Sequence, residues 1–330
     1  MSRVNSVLVH TLATSGALDF ALKVKRSAPT ILMYHGVTTA DTAPDRLKNC
    51  EGKHLPAKLF AGHLQAMRRS RRVIKLDELV RGLQDGDDMT NTIVITFDDG
   101  YENNVLEAAP LLADFNMSAA FFLATGFIGA ERCIWTDRLE IALDRTHRSS
   151  VQVPAGGGDM PLTNFVEKRK AMSAIKRRLK AQPAQNVNQA VEKIISMLGV
   201  MDIAPEGDYR FMNWDQAREL VRNGFEVGAH SVNHPILSNI PFDEASQEIL
   251  DSKKKIESET GQCNSTFCVP NGKKSDFTPE LVAMCKKHFK AVLSTERGVA
   301  TVDDLFQLKR LSPGGPGKGE NLAWLLLRAR

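Results

Sequence analysis

The stretch that most restricts how this chain can fold is IVITFDDGY, Ile93–Tyr101. Its apolar residues run without alternation, the pattern of a strand covered on both faces, as in a parallel sheet. A helical pattern follows from about Asn103 to Phe115, so Asp98 and Asp99 fall at the carboxyl end of a strand. In α/β folds chemistry is placed at that end. Two adjacent carboxylates buried there need positive compensation, and a metal ion is the usual one. Asp87-Asp88 and Asp303-Asp304 read equally well as solvated turns. The strand, not the Asp pair, therefore carries the inference.

The rest of the chain repeats this rhythm. Thr30–Val37 is a buried-type strand ending in Tyr34-His35-Gly36, and further strands are expected at 73–74, 119–123, 225–228, 265–269, 291–293 and 306–308. Helices are expected at 56–69, 76–83, 213–222 and 242–259, with Asn213 and Thr278 as amino-terminal caps and Gly224 and Gly261 as stops. Seven or eight strands alternating with helices predict an α/β fold, a barrel or an open parallel sheet. The composition changes at about residues 138–210. There a Pro154-Ala-Gly-Gly-Gly loop precedes two amphipathic helices, Phe165–Leu179 and Val187–Leu198, read as a helical insertion. The first is rich in Lys and Arg. Its basic face reads as a solvated helix surface, with an acidic glycan or peripheral contact with an anionic membrane as the alternatives.

Composition narrows the function. Of 330 residues, 42% are hydrophobic and 25% charged, as in ordinary globular proteins. The net charge of +4 is too mild to argue for nucleic acid, and no finger, RNP, phosphate-loop or GxGxxG motif is present. Five cysteines, Cys50, Cys133, Cys263, Cys268 and Cys285, form an odd set without CxxC spacing and favour a reducing compartment. Residues 1–28 read as an amphipathic helical segment ahead of a domain spanning 29–330. They lack the apolar core of a signal peptide, and no run is long enough to span a membrane, so a cytoplasmic location is expected.

His230-Ser-Val-Asn-His234 also follows a buried strand, at what should be the same rim as the Asp pair. Alone, the spacing is weak, and two surface histidines beside Pro235 are the plain alternative. With Asp99 they make two imidazoles and a carboxylate with open positions, a catalytic rather than structural metal site. The expected ion is Zn²⁺, with Co²⁺ or another transition metal as alternatives. Asp98, adjacent but not a ligand, is placed as general base toward water. Oxyanion donors are expected at the Pro270-Asn271-Gly272 turn, with Asn271, Tyr101 and Trp135 on the substrate side. If an amide is cleaved, the leaving amine needs an acid. His35 is the candidate, against a structural histidine bonded to a loop.

At these residues the chain resembles the polysaccharide deacetylases, the NodB-homology domains of carbohydrate esterase family 4. Thr96–Gly100, His230–His234 and Pro270–Gly272 are similar to that family's first three motifs, and the resemblance spans about residues 30–312 apart from the insertion. It implies a deformed (β/α) barrel, metal-dependent removal of N-acetyl groups from GlcNAc-type saccharides, and the same roles for Asp98, Asp99, His230 and His234. Met33–Val37 is similar to the opening strand of a permuted branch, in which this early histidine serves as the acid; no late Leu-x-His motif is present. The third motif departs. Where many members carry an arginine that steadies the base, this chain has Cys268, and Arg310 on a late strand is the candidate substitute. Cys268 itself reads as a buried small residue rather than a nucleophile. Trp135 resembles a tryptophan of the same branch that stacks on sugar, with core packing the alternative. An acetyl esterase or other amidohydrolase on the same site, or a silent carbohydrate-binding barrel, are the rival readings.

Overall fold

A computed structural model describes residues 21–22, 24–40, 46–154, 156–201, 203–313 and 322–329. The expected helical segment at 1–28 lies almost wholly outside them. The strand predicted from IVITF is β5, Thr92–Phe97, and all its residues are buried. It lies parallel to β1, Thr30–Tyr34, in a register pairing Thr30 with Ile93 and Tyr34 with Phe97. The sheet continues through β6 (Ala120–Leu123), β9 (Glu226–Ala229), β10 (Thr266–Cys268), β11 (Ala291–Arg297) and β12 (Leu308–Arg310). Just past β12, Leu311 returns to β1, donating to Ile31 O at 2.8 Å and accepting from Met33 N at 2.9 Å. Parallel strands thus form a nearly closed barrel. Short β4, Arg72–Val73, pairs with the start of β5 as an additional strand.

Successive strand residues join apolar clusters on alternate sides of the wall, as a barrel requires. Ile31, Val94, Phe122, Cys268, Leu293 and Leu308 form one apolar cluster, which α2 (Leu76–Asp85) joins through Leu76, Leu79 and Val80. Among the described residues no other α-helix enters that cluster, so this is the barrel interior and α2 is its plug. The neighbouring strand residues, among them Leu32, Ile95, Phe97, Phe121, Val227 and Phe267, join the cluster shared with the surrounding helices. Those include α1 (Ala57–Ser70), α3 (Ala109–Asp114), α7 (Trp214–Arg222), α8 (Phe242–Thr260) and α9 (Pro279–His288).

Between β6 and α7, helices α4 (Trp135–Arg145), α5 (Phe165–Lys180) and α6 (Ala184–Met197) enclose an apolar cluster of their own, including Leu139, Leu143, Ile175, Leu179, Val191 and Ile194. This group includes the two helices read as an insertion. The β7–β8 hairpin (Ser150–Gln152 and Asp159–Pro161) packs with them. Among the described residues, no helix is long and apolar enough to cross a membrane.

Local expectations hold where caps are written in the sequence. Asn213 and Gln216 form a reciprocal capping box, and Gly86 and Gly261 end α2 and α8 at φ 78° and 68°. The helix expected over 103–115 forms as far as Asp114 and is wider in its first turns. A wide turn at Asn104–Ala108, in which Ala109 N–H reaches back to Asn104 O, precedes the short α3. Pro110 lacks an N–H and crowds the preceding turn, and the wider turn accommodates it. The strand expected at 306–308 starts at Leu308. The irregular stretch after β1 also holds a small parallel pair, β2 (Gly36–Thr38) and β3 (His54–Pro56).

Candidate metal-binding and hydrolytic site

The carboxyl ends of β5 and β9 meet at one rim. Asp98 N–H donates to Tyr34 O, after which the chain turns sharply, with Asp99 at φ 76° and Gly100 at φ 95°. A non-glycine residue at positive φ is strained, and such strain concentrates at functional sites. A Cβ on Gly100 would also lie 2.9 Å from Ile128 and 3.0 Å from Leu123, so glycine is required twice over. On the facing loop Ser231 and His234 also have positive φ, 61° and 56°, and Ser231 Oγ accepts from His234 N–H at 3.0 Å.

These turns aim three side chains at one point. Asp99 Oδ1 lies 3.4 Å from His230 Nε2 and 3.3 Å from His234 Nε2. His230 donates through Nδ1 to Cys268 O at 2.8 Å, which leaves Nε2 free to face Asp99. Asp99 Oδ1 is buried and accepts no hydrogen bond. A carboxylate oxygen left bare between two imidazole nitrogens is costly in a protein without an ion. The set therefore fits a divalent cation. Burial alone would push the Asp99 carboxyl up. Its contacts with His230 and His234 reverse this and hold it well below the usual carboxylate range.

Asp98, beside this set, is bound by Arg310. The guanidinium grips it with Nη1 at 2.8 Å from Oδ1 and Nη2 at 2.7 Å from Oδ2. Nε donates to Ser294 O at 2.8 Å, Nη1 also to Thr96 Oγ1 at 3.1 Å, and Nη2 also approaches Cys268 Sγ at 3.1 Å. Every N–H of this fully buried arginine has an acceptor, the condition under which a buried ion pair is tolerated. Cys268 thus leaves room for an arginine arriving from β12. Burial pushes the Asp98 carboxyl up, but Arg310, His230 and His35 outweigh it and hold it below the usual range. Asp98 is ionised at neutral pH.

His35 lies between β1 and β2, half-buried. Burial lowers its imidazole, while Asp99 and Asp98 pull it back up. Asn271 occupies its turn at φ 58°, and Gly272 follows at φ 66°. Trp135 opens α4 and packs against both large clusters, yet it also lines a cleft of about 230 Å³ with His234. Tyr101 departs from expectation in its side chain. It is fully buried, and its hydroxyl donates to Asp137 Oδ2 at 2.7 Å and accepts from Lys53 Nζ at 3.0 Å. The phenol is thus committed to the protein. Its backbone N–H, on the Asp99–Gly100 turn, has no acceptor among the described residues.

Sequence reasoning missed Lys53, His54 and Asp137. Lys53 pairs with Asp137, and Asp99 lies within its electrostatic reach; despite burial these two carboxylates raise its ammonium above the ordinary value. His54 accepts from Asn103 Nδ2 at 2.9 Å. A Cβ on Gly36 would fall 2.2 Å from His54 Nδ1, so the strand beside His35 tolerates only glycine there. No spacing or motif marks these residues, because three separate segments bring them together. A larger groove of about 530 Å³, lined by Pro110, Met117, Glu219 and Phe225, precedes β6 and β9 and so lies at the opposite rim.

Comparison with known proteins agrees with this geometry. Several solved structures share the fold across nearly the whole chain. The Streptococcus pyogenes deacetylase PplD, in complex with acetate, aligns with TM-score 0.59 at 17% identity, over 92% of this chain and 99% of that one. IcaB from Ammonifex degensii aligns with TM-score 0.59 at 15% identity, over 91% and 97%. A polysaccharide deacetylase from Bacillus cereus gives 0.56 at 15%, over 91% and 69%. At such identities the likeness speaks for the fold alone. Comparison of the sequence with curated proteins returns no match. The sequence profile of polysaccharide deacetylases, however, matches residues 85–288, well over half of the chain and the part that carries both the Asp pair and the histidine pair. Fold, rim and motif therefore converge, and the chain belongs to the polysaccharide deacetylase family.

Proposed function

We propose that this deacetylase removes N-acetyl groups from a GlcNAc-containing saccharide, with a divalent metal held by Asp99, His230 and His234. The observation that carries this reading is the bare Asp99 oxygen facing two imidazole nitrogens, beside a second carboxylate kept ionised by Arg310. Two nitrogens and an oxygen suit Zn²⁺, with Co²⁺ the nearest alternative. Such an ion supplies Lewis acidity toward an amide carbonyl and toward water.

The chain's own groups divide the remaining work. Asp98, ionised and held on both oxygens by Arg310, accepts the proton of the attacking water. The Tyr101 and Asn271 backbone N–H groups donate to the oxygen that gains charge in the tetrahedral transition state. The leaving amine requires a proton, and His35 delivers it. Burial keeps His35 neutral at rest, so the proton it delivers is the one that Asp98 takes from water and passes on, which leaves both groups as they began. Trp135 offers an aromatic face to the sugar ring.

Metal titration of two variants tests the division of roles. Asp98→Asn is expected to bind metal like the parent and lose turnover by about a hundredfold or more, the usual loss for a general base. His234→Ala is expected to lose both. A near-normal rate for Asp98→Asn would contradict the assignment of the base. Release of acetate from esters but not amides would transfer the same site to the esterase reading.

A further inference from the structure

The tip between α5 and α6 is built into the rim of the site. Asn239, in the loop after His234, donates through Nδ2 to Lys180 O at 2.9 Å and Gln182 O at 3.1 Å. From the same tip Lys180 Nζ reaches across to Asn271 Oδ1 at 2.6 Å. The helical tip is therefore tied to the loop carrying a candidate metal ligand on one side and to the candidate oxyanion turn on the other. Between the tip and the His234 loop lies the 230 Å³ cleft, walled by His234, Trp135, Leu179, Lys180, Val187 and Ile236.

The charge around this cleft is unbalanced. Lys53 is paired with Asp137, and Lys176 with Glu51 and Glu140. Lys180 and Lys273, which flank the Asn271 turn, have no carboxylate partner among the described residues. An ammonium has several donors, and Lys180 spends one on Asn271, which leaves others for a ligand. Burial first, and then the charges of Lys176 and Lys273, outweigh the pull of Glu51 and lower the Lys180 ammonium. Arg177 and Arg178 already place positive charge on the last turn of α5, so Lys180 is not needed to offset the helix dipole.

The geometry points to an anion-reading subsite: the helical tip makes Lys180 a specificity determinant for a saccharide bearing a carboxylate or phosphate next to the acetylated sugar. Trp135 and the apolar wall take a ring face, and Lys180, with Lys273 behind it, takes the acidic group. This deepens the deacetylase reading and rests on it for the identity of the sugar.

Calorimetric titration of the metal-loaded protein tests it with paired probes, GlcNAc 1-phosphate against GlcNAc and hyaluronan tetrasaccharide against tetra-N-acetylchitotetraose. The wild type is expected to bind at least one anionic probe roughly five- to tenfold more tightly than its neutral partner, with the preference shrinking at high salt. Whichever pair shows the preference identifies phosphate or carboxylate as the acidic group. Lys180→Met should abolish the preference and Lys180→Arg retain most of it, while Lys254→Met, an exposed lysine on α8, leaves it intact. Equal affinities within both pairs, or a preference untouched by Lys180→Met, would overturn the proposal. Acetate release from the tetrasaccharides, followed in parallel, separates the two claims. No release with a Lys180-dependent binding preference would strike the deacetylase reading and leave the subsite standing.

Discussion

Removing Arg310 is the most informative single perturbation of this barrel. Arg310→Met keeps an unbranched chain in the interior and deletes the only cation bonded to Asp98 among the described residues. The buried carboxylate must then stay charged without a partner or take up a proton. Stranding one member of a buried pair costs about 3–5 kcal/mol. The second route sets a ceiling, since protonating an aspartate of reference pKa about 3.9 at pH 7 costs about 4 kcal/mol, and at pH 5 about 1.5 kcal/mol. The sign therefore inverts. In the wild type the Asp98 pKa is depressed, so its stabilisation is present above the unfolded value and is lost as pH falls through the folded one. In the variant, burial is opposed only by His230 and His35, and the folded pKa rises. Stability is then lost as pH climbs from the unfolded value toward the folded one. Urea melts of metal-free protein at pH 7 and pH 5 should show a penalty more than halved at the lower pH. Asp98→Asn/Arg310→Met, which removes both charges, should recover most of the loss. An equal penalty at both pH values, or no recovery in the double variant, would refute the reasoning.

Three further outcomes are expected. Burial pushes the His63 imidazole down to about 4, so the unfolded chain binds a proton that the folded chain refuses as pH drops from about 6.5 to about 4. His63→Gln, which can still meet the Tyr34 hydroxyl, should flatten acid destabilisation by up to about 3 kcal/mol in melts between pH 7 and pH 4. Glu226 on β9 accepts from the backbone N–H groups of Leu76 and Asp77 and caps α2, which has no side-chain cap of its own. Glu226→Ala should cost about 1–2 kcal/mol in chemical denaturation. A Cβ on Gly272, at φ 66°, would lie 2.8 Å from Thr295 N and 2.9 Å from Val269 O. Gly272→Ala should therefore cost upwards of about 1 kcal/mol and slow acetate release by displacing Asn271, with metal content retained.

How much of this was legible before the structure depended on where the information lay along the chain. Asp98, Asp99, His230 and His234 stand in short segments whose strands announce their own burial, and the structure brings them to one rim. Arg310 could be suspected only from the cysteine at position 268. Its partnership with Asp98 crosses the barrel interior between strands far apart in sequence, and local pattern carries no such information. Lys53 and His54 lie in a polar stretch without strand or helix periodicity, where function comes from packing against Tyr101, Asp137 and Asn103 rather than from spacing. The helix expected after the Asp pair forms, but apolar periodicity gave no sign that its turns widen just before Pro110. Tyr101 was placed on the substrate side, but burial and two hydrogen bonds turn its phenol inward. The basic helix α5 looked like a solvated face, and only the three-dimensional ties of Lys180 and Asn239 show its end at the site.

The most direct test of the central claim is acetate release from N-acetylglucosamine oligomers by protein reconstituted with zinc, against the same protein held in chelator. The account predicts release that requires the metal, disappears in the chelated control and returns on adding metal back. Release unaffected by chelation, or none from a protein carrying its full complement of metal and offered neutral and acidic N-acetylated saccharides alike, would contradict it.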